Sequence, residues 1–269
     1  MNILEQIVAH KNKEVAERKS LYPVKLLEKS IYFKSPIVSL RKYLQRDDLV
    51  GIIAELKRKS PSKGVINKYV NVERTSIGYM QAGASALSVL TDSEFFGGKN
   101  EDLTTARKFN YCPILRKDFI VDEYQIIEAK SIGADVVLLL ANVLSKTQIN
   151  EMAKFARSLG LEVLLELRDK EELSSINEFI DVVGINNRNL KDFSVNIDQS
   201  FSIGELIPKE FIRISESGIS NPKTIHDLKQ AGFRGFLIGE TFMKQSRPEL
   251  ACANFIREVK NFSTKAISA

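Results

Sequence analysis

Four segments of the chain share one pattern, in which a helical stretch ends at a glycine and an apolar strand follows closely. The segments are YMQAGASALSVLTD, AKSIGADVVLLLAN, ARSLGLEVLLELRD and LKQAGFRGFLIGET. Their glycines, Gly83, Gly133, Gly160 and Gly232, suit the left-handed conformation that follows a helix, where a side chain would clash. The pattern predicts repeated units in which a helix leads into a buried strand.

Eight short apolar runs are predicted to be strands, and stretches of helical periodicity separate them. Runs of this kind are typical of parallel strands that are buried on both faces. Eight such units predict the α/β class and a TIM (β/α)8 barrel. An open doubly wound sheet is the alternative, but no G-x-G-x-x-G motif follows the first strand, so a dinucleotide-binding fold loses its main support. The predicted strands are residues 52–56, 86–90, 113–116, 136–140, 163–167, 182–185, 211–215 and 236–238.

The 269 residues are predicted to form a single domain, because barrels of this length are commonly one domain. Residues 1–50 form a predicted N-terminal helical extension, and residues 51–269 form the barrel. The segment FKSPIVSLRKYLQ predicts a short helix that Ser35 and Pro36 open. We expect the extension to pack across the barrel, with a role in covering the active site as the alternative. An earlier helix is predicted from apolar residues near helical spacing, namely Leu4, Ile7, Val8 and Val15.

The composition argues against several classes of protein. Apolar residues make up 43% and charged residues 27%, which is ordinary for a globular chain and unlike a disordered one. Two cysteines, Cys112 and Cys252, and two histidines, His10 and His226, are too few for a disulfide framework or a zinc cluster. We therefore expect reduced cysteines, a cytoplasmic location and no bound metal.

Charge and hydropathy argue against further classes. The first residues, MNILEQIVAHKNKEVAERK, are charged throughout and lack the apolar region of a signal peptide. The longest apolar run, residues 136–144, is interrupted by Asn142 and is far shorter than the ~20 residues of a membrane helix. The net charge is +5, but the lysines are spread among acids instead of forming a basic stripe with aromatic residues. We expect no nucleic-acid or membrane partner, and instead a small anionic ligand.

Polar and charged residues follow nearly every predicted strand. In a (β/α)8 barrel the functional face lies at the carboxyl ends of the strands. A single charge there is commonly part of a solvated loop, but two lysines, two arginines and four glutamates on one rim predict a binding or catalytic face. In chain order the residues are Glu55, Lys57, Thr91, Asp92, Arg116, Lys117, Asn142, Glu166, Asn186, Arg188, Glu216, Ser217, Gly239 and Glu240.

The last two predicted strands end in SESGIS and LIGET. Small residues at these two positions allow backbone N–H groups to approach an anion, and this is the usual phosphate site of the fold. The same composition is also common in ordinary loops. Glu240 lies beside the predicted phosphate site, so we expect its carboxylate to point away or to be offset by neighbouring lysines.

Six motifs in order along the chain resemble those of the indole-3-glycerol phosphate synthase family. They are IIAELKRKSPSKG, LRKDFI, LLELRD, GINNRNL, ISESGI and FLIGETFM, and the N-terminal ILEQIVAHKNKEVAERK is similar to the leading helix of the same family. The resemblance spans nearly the whole chain, and E-x-K-x-x-S-P-S is specific to the family. It implies a carboxy-lyase of tryptophan biosynthesis that closes 1-(o-carboxyphenylamino)-1-deoxyribulose 5-phosphate to an indole, with loss of carbon dioxide and water.

The resemblance implies four catalytic residues. Lys117 matches the proton donor to the substrate carbonyl, and Lys57 matches the residue that pairs with the benzoate carboxylate and later assists dehydration. Glu55 matches the general base, and Glu166 is expected to orient the lysines or to share the proton transfers. Glu55 and Lys57 are two residues apart on a strand, so both can face the barrel mouth.

The resemblance also implies residues that bind the substrate. Those that hold its hydroxyls and carboxylate are Asn186, Arg188, Glu216 and Ser217. Those at the phosphate are Ser60, Gly218, Gly239 and Glu240. An apolar wall for the aryl ring is implied for Pro61, Leu90, Phe96, Phe119 and Leu190. For Leu90 and Phe119, simple core packing is the alternative.

Three other functions stay open at this point. One is phosphoribosylanthranilate isomerase, whose chemistry resembles a cysteine and aspartate pair, although Cys112 starts its strand instead of following the first one. Another is a Schiff-base aldolase that uses Lys117, and the third is a barrel without catalytic activity. We expect no cofactor, a small phosphorylated substrate as the partner, and a monomer.

Overall fold

Eight parallel strands close into a barrel, which confirms the predicted fold. The computed structural model describes residues 2–189 and 192–267, with side chains described as far as residue 262. The barrel strands are β1 (Ile52–Leu56), β4 (Ala86–Leu90), β5 (Ile114–Lys117), β6 (Val136–Leu140), β7 (Glu162–Leu167), β8 (Val182–Asn186), β9 (Ile212–Glu216) and β10 (Gly235–Ile238). Each pairs in parallel with both neighbours, and β10 closes onto β1 with Phe236 opposite Ile52. A short hairpin of β2 (Lys59–Ser60) and β3 (Gly64–Val65) follows β1.

Helices surround this barrel and lead into its strands. They are α1 (Ile3–Leu21), α2 (Val24–Leu27), α3 (Leu40–Leu44), α4 (Val72–Gln81), α5 (Asn100–Phe109), α6 (Glu123–Ser131), α7 (Lys146–Ser158), α8 (Asp198–Gly204), α9 (Pro222–Gln230), α10 (Glu240–Met243) and α11 (Pro248–Ile267). A 3-10 helix, Lys170–Ser175, connects β7 to β8. No helix within the described ranges is long and apolar enough to cross a membrane.

The four glycines that the sequence marks as helix stops all have left-handed backbone, with φ values of 93°, 94°, 77° and 87° in chain order. Three predicted strands match the structure residue for residue, and the other five differ by one residue at one end or both. Backbone pairing explains these differences, because Lys117 pairs with Leu90 and Asn186 pairs with Glu216. A pattern of apolar residues does not extend to a polar residue at the end of a strand, so it does not predict this pairing.

Alternation along each strand separates two parts of the core. In β1, Ile52, Ala54 and Leu56 pack outward with the surrounding helices, whereas Ile53 belongs to the cluster inside the barrel. Successive side chains of a strand point to opposite faces, so Glu55 and Lys57 follow Ile53 on the inner face. Polar side chains therefore reach the barrel mouth from a strand whose remainder is apolar.

The N-terminal extension covers both ends of the barrel. Ile3 and Ile7 of α1 line a cavity at the carboxyl ends of the strands. Leu40 and Leu44 of α3 join the inner cluster from the opposite end. The extension thus packs across the barrel and also lines the cavity, which combines the two expected roles.

The prediction that Ser35 and Pro36 open the second helix is wrong. The helix α3 begins at Leu40 with Ser39 as its cap, whose hydroxyl accepts the Lys42 N–H. Buried carboxylates keep the preceding chain extended, because Asp135 accepts the N–H of Val38 at 2.8 Å. A helix pattern in sequence does not report such partners, which lie about a hundred residues away.

Buried acids fix the amino ends of three neighbouring strands. Glu162 Oε2 accepts the N–H groups of Leu40 at 2.7 Å and Arg41 at 3.2 Å. Asp135 Oδ2 accepts the Ile114 N–H at 2.7 Å, and Asp181 Oδ2 accepts the N–H of Val163 at 2.9 Å. Two of these acids also pair with arginines, Asp135 with Arg107 and Asp181 with Arg157. These carboxylates join neighbouring segments at the end of the barrel away from the cavity.

Candidate functional site

A cavity of about 480 Å³ opens at the carboxyl ends of the barrel strands. Sixteen of the seventeen predicted site residues line it, and the remaining one, Leu190, lies outside the described residues. Residues from strands at opposite sides of the barrel meet here because the strand ends of a closed barrel point to one centre. The sixteen are Glu55, Lys57, Ser60, Pro61, Leu90, Phe96, Lys117, Phe119, Glu166, Asn186, Arg188, Glu216, Ser217, Gly218, Gly239 and Glu240.

Lys117 of β5 lies between two glutamates from two other strands, β7 and β9. Its Nζ is 2.7 Å from Glu166 Oε2 and 2.5 Å from Glu216 Oε2. Burial alone would lower the pKa of Lys117, but the charges of Glu166, Glu216 and Glu55 outweigh it and raise the pKa above its usual value. The ammonium is therefore charged, and it is held in place by two directed hydrogen bonds.

The two glutamates titrate differently although they share this lysine. Burial raises the pKa of Glu216 to about 8; Lys117 opposes this shift and the charge of Glu166 adds to it. For Glu166 the charge and hydrogen bond of Lys117, with a 2.8 Å bond from Asn186 Nδ2, outweigh burial and lower the pKa. Glu216 therefore exchanges its proton closer to neutral pH, which is the range a group in proton transfer needs.

A glycine in β8 makes room for the Glu216 carboxylate. A Cβ built at Gly184 would lie 2.4 Å from Glu216 Oε1, a distance no methyl group tolerates. Oε1 is buried and accepts no hydrogen bond from any described residue. Gly184 therefore leaves room for a buried carboxylate oxygen that has no donor among the described residues.

Glu55 and Lys57 form a second acid and ammonium pair at the mouth of the barrel. Lys57 Nζ lies 2.6 Å from Glu55 Oε1, and the Glu55 side chain is only 4% exposed. Gly239 at the end of β10 leaves space for this carboxylate, since a Cβ there would approach Glu55 Oε1 to 2.3 Å. Both predicted residues thus face the same cavity from β1, beside Lys117.

Arg188 and Glu240 form a polar edge beside the last two strands. The Arg188 guanidinium lies 3.4 Å from Glu240 Oε2, and the Arg188 N–H donates to Asn186 Oδ1 at 3.0 Å. Lys63 Nζ lies 3.9 Å from Glu240 Oε1. The Glu240 charge is therefore offset by an arginine and a lysine, which agrees with the expected arrangement.

Backbone at the end of β9 turns sharply beside this edge. Ser217 has φ 69° and Gly218 has φ 77°, so two successive residues have left-handed backbone. On the facing hairpin, the Ser60 hydroxyl accepts the Lys63 N–H at 3.3 Å. Lys63 and Lys244, which the sequence interpretation did not select, also line this part of the cavity. The polar end of the cavity thus combines turned backbone with added positive charge.

Apolar side chains form the opposite wall of the cavity. The rings of Phe96 and Phe119 lie 5.9 Å apart between centroids, and Leu90 and Pro61 lie beside the same space. Leu90 and Phe119 are 4% and 8% exposed. They are nearly buried and also line the cavity, so the same two side chains belong to the core and to the cavity wall.

Four residues of the predicted rim do not reach the cavity: Thr91, Asp92, Arg116 and Asn142. Arg116 is 2% exposed, and its guanidinium binds Glu128 at 2.6 Å and Asp118 at 3.1 Å. It neighbours Lys117 on β5 and therefore points to the other face of the strand. Cys112 is buried and does not line the cavity either, so the cysteine chemistry weighed as an alternative has no partner here.

The sequence interpretation missed several cavity residues. Ile3 and Ile7 come from the extension, Lys244 follows the last strand, and Asp118 lies beside Lys117. One signal was available for Gly184, because a glycine inside a strand pattern often marks close approach by another group. Among the described residues, no group of three or more histidine, cysteine or acidic side chains is arranged to hold a metal ion.

Comparison with known proteins gives consistent results. The model of the family "Indole-3-glycerol phosphate synthase" matches residues 4–257. Proteins named indole-3-glycerol phosphate synthase from Bacteroides thetaiotaomicron and Acinetobacter baylyi are 47% and 39% identical to this chain. These alignments cover 96% of this chain and 99% of the Bacteroides protein, and 93% of both chains for the Acinetobacter protein.

A solved structure shows the same fold in a more distant protein. It is a chain of the tryptophan synthase complex from Pyrococcus furiosus, with a TM-score of 0.57 and 15% sequence identity, over 79% of this chain and 98% of that one. At this identity the likeness concerns the fold alone. The family match and the curated relatives each span nearly all of the chain, and this chain belongs to the indole-3-glycerol phosphate synthase family.

Proposed function

We propose that this chain closes 1-(o-carboxyphenylamino)-1-deoxyribulose 5-phosphate to indole-3-glycerol phosphate, releasing carbon dioxide and water. The observation that carries the proposal is the position of Lys117, charged and held between two glutamates in a cavity with one apolar and one polar end. The substrate has the same division, with an aryl ring at one end and a phosphate at the other. A cavity of about 480 Å³ suits a ligand of this size.

Ring closure is the first step. The ring carbon that bears the carboxylate attacks the ketone carbon of the sugar chain, and the carbonyl oxygen takes up a proton. Lys117 supplies this proton and its charge stabilises the developing oxyanion. Phe96, Phe119 and Pro61 hold the aryl ring against the chain, and Lys57 pairs with the carboxylate.

Decarboxylation and dehydration complete the reaction. The carbon–carbon bond to the carboxylate breaks, carbon dioxide leaves, and the electron pair restores the aromatic ring. The new hydroxyl then leaves as water, with a proton from Lys57, while Glu55 removes a proton from the carbon next to nitrogen. Glu166 orients Lys117 and shares the proton transfers. Each step needs a placed acid, base or charge, and the four side chains provide these.

The remaining substrate groups match the polar part of the cavity. Asn186, Arg188 and Glu216 bind hydroxyl and carboxylate groups, with Ser217 beside them. The phosphate binds at Ser60, at the Gly218 turn, and at the start of α10 formed by Gly239 and Glu240, where Lys63 adds charge. We further propose that the protein acts as a monomer in the cytoplasm on this small molecule, without a macromolecular partner and without a cofactor. Dialysis against a chelator is expected to leave turnover unchanged.

Turnover of the substrate tests the proposal directly. Purified protein is incubated with 1-(o-carboxyphenylamino)-1-deoxyribulose 5-phosphate, and indole formation is followed by fluorescence. We expect product with the wild-type chain and almost none with Lys117→Met. A folded wild-type protein that consumes no substrate would refute the proposal, and borohydride trapping of substrate on Lys117 would favour the aldolase alternative.

A further inference from the structure

Lys11 of α1 is a fully buried lysine that the reaction does not use. Its side chain is 1% exposed, and Nζ lies 3.0 Å from Asp92 Oδ2, 3.0 Å from Asp118 Oδ1 and 2.9 Å from Glu14 Oε2. Asp92 follows β4 and Asp118 follows β5. One ammonium of the extension therefore bridges two neighbouring strand ends of the barrel.

Each of these two aspartates fixes the backbone of an aromatic residue in the cavity wall. Asp92 Oδ1 accepts the N–H of Phe96 at 3.1 Å and that of the preceding residue at 2.7 Å. Asp118 Oδ1 accepts the N–H of Phe119 at 2.8 Å. Phe96 and Phe119 are the two rings that face each other at 5.9 Å in the apolar wall. Lys11 is thus connected to the backbone of Phe96 through Asp92 and to that of Phe119 through Asp118.

The Lys11 charge is what balances the Asp92 carboxylate. Asp92 is fully buried, and apart from this ion pair its Oδ2 accepts no hydrogen bond from residues 2–189 or 192–267. Asp118 has further partners in Arg116 and Thr91. Burial acts to lower the pKa of Lys11, but Asp118, Asp92 and Glu14 outweigh it and raise the pKa, so Lys11 stays charged. Without this ammonium, a buried carboxylate would be left without a cation, which proteins tolerate poorly.

We propose that Lys11 is a positioning residue that holds Phe96 and Phe119 at the distance the substrate's aryl ring needs. It acts through Asp92 and Asp118 and touches no substrate atom. The inference rests on the proposed function, because that function places the aryl ring against these two phenylalanines. It gives the N-terminal extension a defined task in recognising one end of the substrate.

Two ligands separate the ends of the site. Indole-3-glycerol phosphate carries the aryl group and the phosphate, whereas glycerol 3-phosphate carries the phosphate end alone. Binding of each to the full-length protein is measured by titration calorimetry, so the readout does not depend on turnover. The ratio of the two dissociation constants reports the contribution of the aryl wall.

Lys11→Met is compared with Lys13→Met, which makes the same substitution at an exposed position of the same helix. A displaced aryl wall loses part of its apolar contact with the ring, so we expect Lys11→Met to weaken indole-3-glycerol phosphate binding roughly 10-fold. Glycerol 3-phosphate should bind as in the wild type. Lys13→Met should leave both constants unchanged.

A second variant covers loss of folding. The double variant combines Lys11→Met with Asp92→Asn, which removes one buried positive and one buried negative charge. The amide oxygen at position 92 can still accept the two backbone N–H groups. Folding and binding of the aryl group should therefore recover. A lower melting temperature with an unchanged ratio of constants would show a merely structural role and overturn the proposal. Equal weakening of both ligands, or a folded double variant without recovered aryl binding, would overturn it as well.

A wild-type protein that binds the product but turns over no substrate would remove the proposed function and leave this inference standing.

Discussion

Glu162 and Glu166 lie four residues apart on β7. They are equally buried, but they differ in their position on the strand and in their hydrogen-bond partners. They are 6% and 7% exposed. Glu162, at the amino end of the strand, accepts two backbone N–H groups of α3 and the hydroxyl of Ser39. Glu166, at the carboxyl end, binds the side chains of Lys117 and Asn186 and lines the cavity.

The difference lies in what each carboxylate is bonded to. Backbone donors at the amino end are fixed by the chain. Both oxygens of Glu162 accept hydrogen bonds from residues 39–41, so this acid links α3 to the barrel and has no free oxygen for a ligand. Side-chain donors at the carboxyl end can release the acid when a substrate enters, and Glu216 already has an oxygen without a donor among the described residues. We propose that Glu162 stabilises the barrel, whereas Glu166 takes part in the proposed chemistry.

The largest effect is expected for Lys117→Met. Loss of the proton donor should lower kcat by ~10²- to 10⁴-fold, the usual contribution of a positioned acid. The fold should persist, because Glu216, with a pKa of about 8, is already protonated near neutral pH and Glu166 keeps its hydrogen bond from Asn186. Steady-state kinetics and circular dichroism measure the two quantities. A variant with half of the wild-type kcat would contradict the assignment.

Asp135→Ala tests the opposite end of the barrel. It removes the acceptor of the Val38 and Ile114 N–H groups and the partner of Arg107. Each buried donor left unsatisfied costs ~1–3 kcal/mol, so we expect the free energy of unfolding to fall by at least ~2 kcal/mol. Denaturant unfolding measures this loss. Below the unfolding transition kcat should be unchanged. A loss of kcat in the folded variant would contradict the separation of stability and activity between the two ends of the barrel.

Lys57→Met should have a selective effect on substrate binding, beside the loss of kcat that follows from its proposed proton transfer. It removes a charge that the proposal pairs with the substrate carboxylate, so KM should rise by roughly 10-fold, as for loss of a charge-assisted hydrogen bond of ~1.5 kcal/mol. An analogue that lacks the carboxylate provides the control, and its inhibition constant should change little. Equal changes for both compounds would count against the pairing.

Glu216→Gln sharpens the comparison through pH. Burial, opposed by Lys117 and reinforced by Glu166, raises the pKa of Glu216 from 4.5 to about 8, so the folded protein holds a proton that the unfolded chain releases. This contribution to stability is complete below the unfolded pKa and is lost as pH rises through the folded one. The variant lacks it, so its stability relative to the wild type should increase from about pH 5 to about pH 8. A constant difference in denaturant unfolding over this range would contradict the shift.

The sequence predicts the barrel and the residues at its strand ends from local patterns, whereas Ser60, Pro61, Phe96 and Phe119 were implied by the family resemblance. A glycine after a helix and an apolar run define each unit, and the strand ends then converge by topology alone. The interpretation fails where partners are distant in sequence. Nothing near Arg116 indicates Glu128 as its partner, and nothing near Ser39 indicates Glu162. Lys11 reads as an ordinary charge on a helix, and only the packed structure places it between Asp92 and Asp118.

The most direct test of the division between the two ends substitutes both glutamates of β7 with alanine, one at a time. Glu166→Ala should lower kcat/KM by ~10²-fold, as expected for loss of an acid–base group. The free energy of unfolding should stay within ~1 kcal/mol of the wild type, because Glu216 loses the charge that, beside burial, raises its pKa, ionises and stays paired with Lys117. Glu162→Ala should lower the free energy of unfolding by about 2 kcal/mol or more, because two buried N–H groups lose their acceptor, and should leave kcat/KM unchanged. Equal losses of stability and activity in both variants, or the reverse assignment, would contradict the account.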